Sequence, residues 1–567
     1  MSAQTAGSDA ARVDALATAY VDAWFARYPE QLTSNGIPGA RHDRLTDRSL
    51  AALERWRRQE DAWLSEVRRI DPETLEGRPE WATYGILRET LEGTVAQRAC
   101  RLELWGLNTS GGWQAGLSSL ARAQPVGSDS LRAQALARWR AVPELIETDA
   151  ANLRVGLRHG YVAPRPVVEG VIRQLDGLLA TTPDASPYAS PAQRDSSPEF
   201  RRAFVATVAR RINPAIRRYR RFLASEYLPR ARETIGVAEI PDGLACYRAA
   251  VRRYTTLDLP PDSIFERGTR ELARLEARMS DLGRRRFGTG DVPALLQRLK
   301  EDTAFTFDSR QEIIDSSEAA VARATAAAPK WFGLLPRAQV VIEEYPEFRQ
   351  RAGAVPSYQS AAEDGSRPGI FYINTWDPEK QSRARIESTA FHEAVPGHHF
   401  QVTIAQERAG SHPIARYVYN SGYAEGWALY AETVAGEMDL FSSDLGRLGL
   451  LASQALRAVR LVLDAGIHAK GWTRAQAAEF MAAHTVVSPG ILQGEIDRYI
   501  SVPGQASSYM LGNLEIRALR TAAEQALGDR FDVREFHDRV LEDGALPLPV
   551  LRQKIERWMA AGGSRRE

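Results

Sequence analysis

Three of the chain's nine histidines fall within eight positions, in Phe391-His-Glu-Ala-Val-Pro-Gly-His-His-Phe-Gln401. A glutamate, Glu393, follows the first of them. Imidazoles beside a carboxylate are the materials of a zinc site: nitrogen ligands hold the ion and the carboxylate takes a proton from water. The regular metallopeptidase pattern is His-Glu-x-x-His, because positions i and i+4 share a helical face. Here the position four beyond His392 is Pro396, so that pattern is interrupted. On a straight helix His399 would share the face of His392 but stand about 10.5 Å along the axis, and His398 would point about 120° away. Neither arrangement suits Zn–N bonds of about 2.0–2.1 Å. Pro396, however, lacks the N–H that would bond the carbonyl of His392, and Gly397 relaxes the backbone. The sequence therefore predicts a bulge or kink within 394–398 that swings His398 toward His392. His399 then points elsewhere, into packing or toward an outer carboxylate. A lone histidine is ordinarily a core or capping residue; three around a Pro-Gly break, beside a glutamate, argue for a ligand-positioning device.

The next carboxylates supply a third ligand. Gly422-Tyr-Ala-Glu-Gly-Trp-Ala-Leu-Tyr-Ala-Glu432 is helical in pattern, with Glu425 and Glu432 seven positions apart on one face. Carboxylates on so apolar a helix are expensive to bury without partners. Glu425 is expected to bind the metal and Glu432 to accept a hydrogen bond that orients a ligand histidine. The implied cofactor is Zn2+, held by His392, His398 and Glu425, with Glu393 as general base.

Such a constellation needs a scaffold. The chain has 567 residues, 44% hydrophobic and 26% charged, enough for more than one ordinary core. A net charge of +1 gives no bulk attraction to nucleic acid or anionic membrane. Two cysteines, Cys100 and Cys246, could pair but cannot form a disulfide framework or a thiolate metal site. Met1–Ala10 lacks a basic segment followed by an apolar one, and no apolar run approaches about 18 residues. The expectation is a cytoplasmic protein without membrane or nucleic-acid partners. Residues 1–10 are small and polar and are expected to be a disordered tail. Apolar residues then recur at helical spacing, as in Leu16, Ala19, Tyr20, Ala23 and Trp24. Pro260-Pro261-Asp262-Ser263 carries a helix-start signature. Ala338–Tyr345 and Gly369–Thr375 are β-branched and aromatic, and read as strands. The fold expected is mostly α, with an N-terminal helical lobe over 11–335, a catalytic helical lobe over 336–567 (or the two as one intertwined unit) and a short β ribbon beside the site.

The two site motifs, with Gly369-Ile-Phe-Tyr-Ile-Asn-Thr375, Asp464-Ala-Gly-Ile-His-Ala-Lys-Gly-Trp472 and Pro503-Gly-Gln-Ala-Ser-Ser-Tyr-Met-Leu-Gly512, resemble the bacterial proteins grouped as domain of unknown function 885. The likeness runs through most of the chain. More distantly, the site is similar to helical zinc oligopeptidases of the thimet type, which carry His-Glu-x-Gly-His, a ligand Glu about twenty-five residues on and a further Glu seven beyond. That resemblance matches Gly397-His398 to their Gly-His, favours His398 over His399, and implies a two-lobed helical body with a deep channel. It also implies an oxyanion-stabilising tyrosine on a late helix, matched by Tyr509, with His468 in reserve. The two-residue insertion in the His-Glu motif is the departure from that family.

Substrate contacts are expected from the Tyr372 strand, by pairing with an extended peptide, and from Arg498, Tyr499 and Arg460 as carboxylate anchors. His484 could also line the channel. The activity expected is hydrolysis of short peptides. The same metal site could instead serve another amide or ester, such as a secondary metabolite or acylated amino acid, or be degenerate in a helical binding protein.

Overall fold

The computed structural model describes residues 3–345, 347–351, 354–361, 367–408 and 412–563. Helices dominate, as the periodicity predicts. The first, α1 (Ala3–Arg27), corrects the expected tail: the helix is continuous from residue 3. Ala10, Val13, Ala17 and Tyr20 bury one stripe of it, and the Thr74 hydroxyl donates to Asp9 at 3.0 Å. Core packing thus carries the helix into a segment whose composition alone suggested a tail.

The helices that build the site come later. They are α2 (Pro261–Arg286), α3 (Arg383–Glu393), α4 (His398–Glu407), α5 (Ser421–Glu437), α6 (Asp444–Ala469), α7 (Pro489–Ser501) and α8 (Ser508–Leu527). Pro261 and Pro489 stand in the first turns of α2 and α7, where a missing N–H costs nothing. Ser382, Asn420 and Ser443 cap α3, α5 and α6, accepting from the N–H groups of Ala384, Tyr423 and Gly446. α6 is buried on nearly every side, with α2 and α3 packed along it. α5 and α8 cross backbone to backbone: a Cβ on Gly426 would meet Gly512 at 2.5 Å, and one on Gly512 would meet the Gly422 carbonyl at 1.8 Å. That contact brings the start of α8 against the start of α5.

The only strands among the described residues form one three-stranded sheet, β1 (Val340–Glu344), β2 (Ser357–Gln359) and β3 (Gly369–Ile373). β3 lies in the middle, parallel to β1 and antiparallel to β2. β2 has three residues, too few for alternation to reveal.

Buried apolar residues form two cores. One gathers residues from 100–299 with α6 and α7; the other gathers 10–91, 307–332 and most of 371–441 with the C-terminal helices. Each draws on both sides of residue 335, so a division at 335/336 does not separate them. Cys100 and Cys246 are joined by a disulfide inside the first core. Among the described residues no helix is long and apolar enough to cross a membrane.

Candidate metal centre

The helix carrying His392 ends at Glu393, and a new helix starts at His398. The sequence predicted a bulge or kink within one helix; the break is complete instead. Ala394 (ψ −102°) and Gly397 (ψ −128°) leave helical geometry altogether. The chain folds back so tightly that a Cβ on Gly397 would lie 1.9 Å from the carbonyl oxygen of His392. Only glycine fits there. The Trp427 indole of α5 donates to the Pro396 carbonyl at 2.9 Å, tying this loop to the helix that carries Glu425.

The fold-back puts the His392 and His398 rings edge to face, centroids 4.9 Å apart. Glu425 Oε2 lies 3.6 Å from His392 Nε2 and 3.3 Å from His398 Nε2. One ligand atom from each of these three residues falls within 4.8 Å of the others. Bonds of about 2.0–2.1 Å at tetrahedral angles separate donor atoms by about 3.3 Å, so the set fits a zinc-sized ion with small adjustments. Glu432, fully buried one heptad along α5, accepts from His392 Nδ1 at 2.8 Å and from the Ser388 hydroxyl at 2.7 Å. That bond leaves His392 Nε2 free for a metal. Burial opposes protonation of His392, but hydrogen bonds to Glu425 and Glu432 raise its pKa to about 9. The same histidines hold Glu425 well below the usual carboxylate range against the cost of burial. Glu393 is raised, mainly by burial, with His392 and His398 pulling the other way and the Tyr358 backbone N–H of β2 favouring its charged form.

His399 faces away from the three donors. Its Nδ1 is met by the hydroxyls of Tyr358 (3.1 Å) and Thr403 (3.2 Å). Burial pulls its pKa down to about 4, partly offset by the Ala338 carbonyl. Tyr509 is half-buried at the start of α8, its phenol raised by burial and by the nearby Glu425 carboxylate. The Arg460 guanidinium lies 4.6 Å over its ring.

Several expectations need correction. His468 is fully buried, its Nδ1 accepting from the Val237 N–H (3.1 Å) and its Nε2 donating to the Tyr499 carbonyl (2.9 Å). Both nitrogens are spent on backbone, so it has none for an oxyanion. Tyr499 is also fully buried, donating to Glu495 and accepting from Arg460, and is scaffold. Arg498 is held by both oxygens of Glu495. Tyr372 stands on the central strand, opposite Glu343 of β1 and Ser357 of β2, so β3 has no edge for a peptide. His484 pairs with Glu276 at 2.6 Å.

Tyr419 gave no signal in the sequence. It precedes α5 in an irregular loop, 58% exposed, and its hydroxyl donates to Glu425 Oε1 at 3.3 Å. Cavities of about 530 and 620 Å3 lie elsewhere, one beside Arg278, Thr433 and Gln454 and one beside Trp113 and Asp149; neither includes a residue of the triad.

His468, whose pKa burial pulls down to about 3, offers a pH test. Its unfolded value is near 6.5, so the folded state binds fewer protons. The stability it contributes is complete above pH 6.5 and is lost as pH falls toward 3. His468→Gln keeps a donor and an acceptor but cannot titrate. It is expected to flatten the pH dependence of the unfolding free energy, obtained from urea titrations extrapolated to water, by about 1.4 kcal/mol per pH unit between pH 6 and 4. An unchanged slope would mean that His468 is not held neutral.

No curated protein matches this chain significantly. Among solved structures it is similar to a provisionally named lipoprotein from Colwellia psychrerythraea, 25% identical, with 98% of this chain and 99% of that one covered and a TM-score of 0.89. It shares its fold with a provisionally named lipoprotein of unknown function from Shewanella oneidensis, 17% identical over 95% of this chain and 98% of that one, with a TM-score of 0.77. The sequence profile of DUF885, a bacterial protein family of unknown function, matches residues 29–555. By that match, over nearly its whole length, the chain belongs to the DUF885 family.

Proposed function

We propose that this protein is a zinc-dependent hydrolase that cleaves amide bonds of short peptides. The observation that carries the reading is the convergence of His392, His398 and Glu425 on one point, with the carboxyl of Glu393 beside them. A zinc ion, which His392, His398 and Glu425 would hold, would supply Lewis acidity to a water and to the substrate carbonyl. Glu393 takes the proton of the attacking water and passes it to the leaving nitrogen. Glu432 and Ser388 fix the His392 ring so that Nε2 faces the ion. The Tyr509 hydroxyl, close enough to Glu425 to feel its charge, is the candidate donor for the charge that develops on the carbonyl oxygen.

Purified protein is expected to hold one zinc per chain by elemental mass spectrometry and to cut members of a peptide library in a chelator-sensitive way. Absence of stoichiometric zinc would sink the metal reading. Zinc with no peptide cleavage would move the substrate to another amide or an ester. We also infer an oxidising compartment rather than the cytoplasm, since disulfides rarely persist in reducing cytosol and the similar structure from Colwellia psychrerythraea is provisionally named a lipoprotein. Two free thiols in protein isolated from its native cells under alkylating conditions would overturn that inference.

A further inference from the structure

Two turns before His392, α3 carries an arginine with no partner among the described residues. Arg385 is seven positions from His392, on the same helical face and about 10.5 Å along the axis. It is half-buried, and its guanidinium makes no hydrogen bond or ion pair with any described residue. Its surroundings are cationic. Burial, then the charges of Arg457 and Arg460 on α6, pull its pKa down to about 10, against the pull of Glu432 and Glu495.

The two carboxylates are already committed. Glu432 serves His392 and Ser388, with Arg457 at 4.0 Å. Glu495 is shared by Arg460 (2.8 Å), Arg498 (3.0 Å) and the Tyr499 hydroxyl (2.6 Å). Arg457 keeps a buried, unpartnered Nε. Four guanidinium groups thus face two carboxylates, leaving an excess of two positive charges. Like charges gathered out of water are costly unless an anion joins them. The cluster also touches the metal centre at two points: Arg457 approaches the carboxylate that orients His392, and Arg460 stacks on Tyr509.

From this we propose that Arg385, with Arg457 and Arg460 behind it, binds a carboxylate of the substrate. Guanidinium takes a carboxylate through paired N–H donors, and the Arg385 donors are taken by no described residue. An extended peptide advances about 3.3–3.6 Å per residue, so about 10.5 Å spans roughly three residues. The carboxylate recognised here therefore belongs two or three residues from the cleaved bond. A free C-terminus at that distance would make the enzyme release di- or tripeptides; an acidic side chain would make it selective for Asp or Glu there. The proposal rests on the hydrolase reading for its meaning but not for its test.

Matched peptides would be compared with a free or amidated C-terminus, and with Asp and Glu against Asn and Gln. Kinetics would be measured on the wild-type enzyme and on Arg385→Gln and Arg385→Lys. Arg385→Gln should raise KM about 10–100-fold for the charged peptide, as expected for loss of a charge-assisted hydrogen bond, with kcat little changed. The uncharged peptide should barely respond, and Arg385→Lys should restore part of the affinity. Whichever neutralisation mimics the substitution identifies the source of the carboxylate. Calorimetric binding of the same peptides to zinc-loaded Glu393→Gln protein gives a readout that needs no turnover. Preferential binding of the acid without any hydrolysis would leave the subsite standing and the hydrolase reading fallen. Hydrolysis that ignores both charges, or an equal loss on charged and neutral peptides with a lowered melting temperature, would overturn the subsite and leave the hydrolase reading intact.

Discussion

Glu393→Gln is expected to keep its zinc and to lose about 10²–10⁴-fold in turnover, the range for removal of a general base. The amide has nearly the shape of the carboxylate but cannot take a proton. Glu393 closes α3 one residue beyond His392, yet it is not one of the three converging donors, so metal content should be unaffected. Its carboxyl is raised chiefly by burial, which means that the folded protein carries it at a cost in its charged form. Compared without metal, the variant should therefore be at least as stable as the wild type. The measurements are zinc stoichiometry, melting temperature and kcat on one peptide cleaved by the wild type. A zinc-loaded, folded Glu393→Gln protein that turns over normally would remove Glu393 from the mechanism and pass proton transfer to another group.

His398→Ala should abolish stoichiometric zinc, whereas His399→Ala should weaken it by no more than the 10–100-fold, roughly, of an outer contact. The geometry separates the neighbours cleanly. His398 Nε2 lies 3.3 Å from Glu425 Oε2 and its ring meets that of His392, so removing it takes one of three ligands. His399 spends its Nδ1 on two hydroxyls beside the sheet. Losing its buried ring leaves a cavity, so zinc should be titrated well below the variant's melting temperature. His399→Gln, which keeps polar contacts to Tyr358 and Thr403, guards against a folding defect. Metal lost from the His399 variants and kept by His398→Ala would mean that the ligand is the other member of the pair.

Much of this site was legible in the chain itself. Side-chain chemistry and helical spacing are local: His392 beside Glu393, and Glu425 one heptad before Glu432, needed only the helix period to be placed on a common face. The same holds for the mostly helical class and for two of the three strands, because amphipathic period and β-branched runs act over a few neighbouring residues. Pro396 and Gly397 announced an irregularity in the helix, a bulge or kink, though not its complete end.

The path of the chain beyond that break is not a local matter. Whether Pro-Gly makes a bulge or a full stop depends on what receives the chain, and the indole of Trp427, thirty-one residues on, receives it here. β3 lost its edge only because β2, three residues long, pairs on its second side. The fates of His468 and Tyr499 were set by carbonyls, amides and charged groups brought in from distant elements. Arg385 could not be told from the chain's many other arginines until α6 placed Arg457 and Arg460 near it and left its own donors taken by no described residue. Residue type and helical period, both readable along the chain, suffice to say which groups can bind a metal and move a proton. Which tyrosines stand near Glu425 and where the spare positive charge gathers depend on long-range packing, and no short stretch of sequence contains that information.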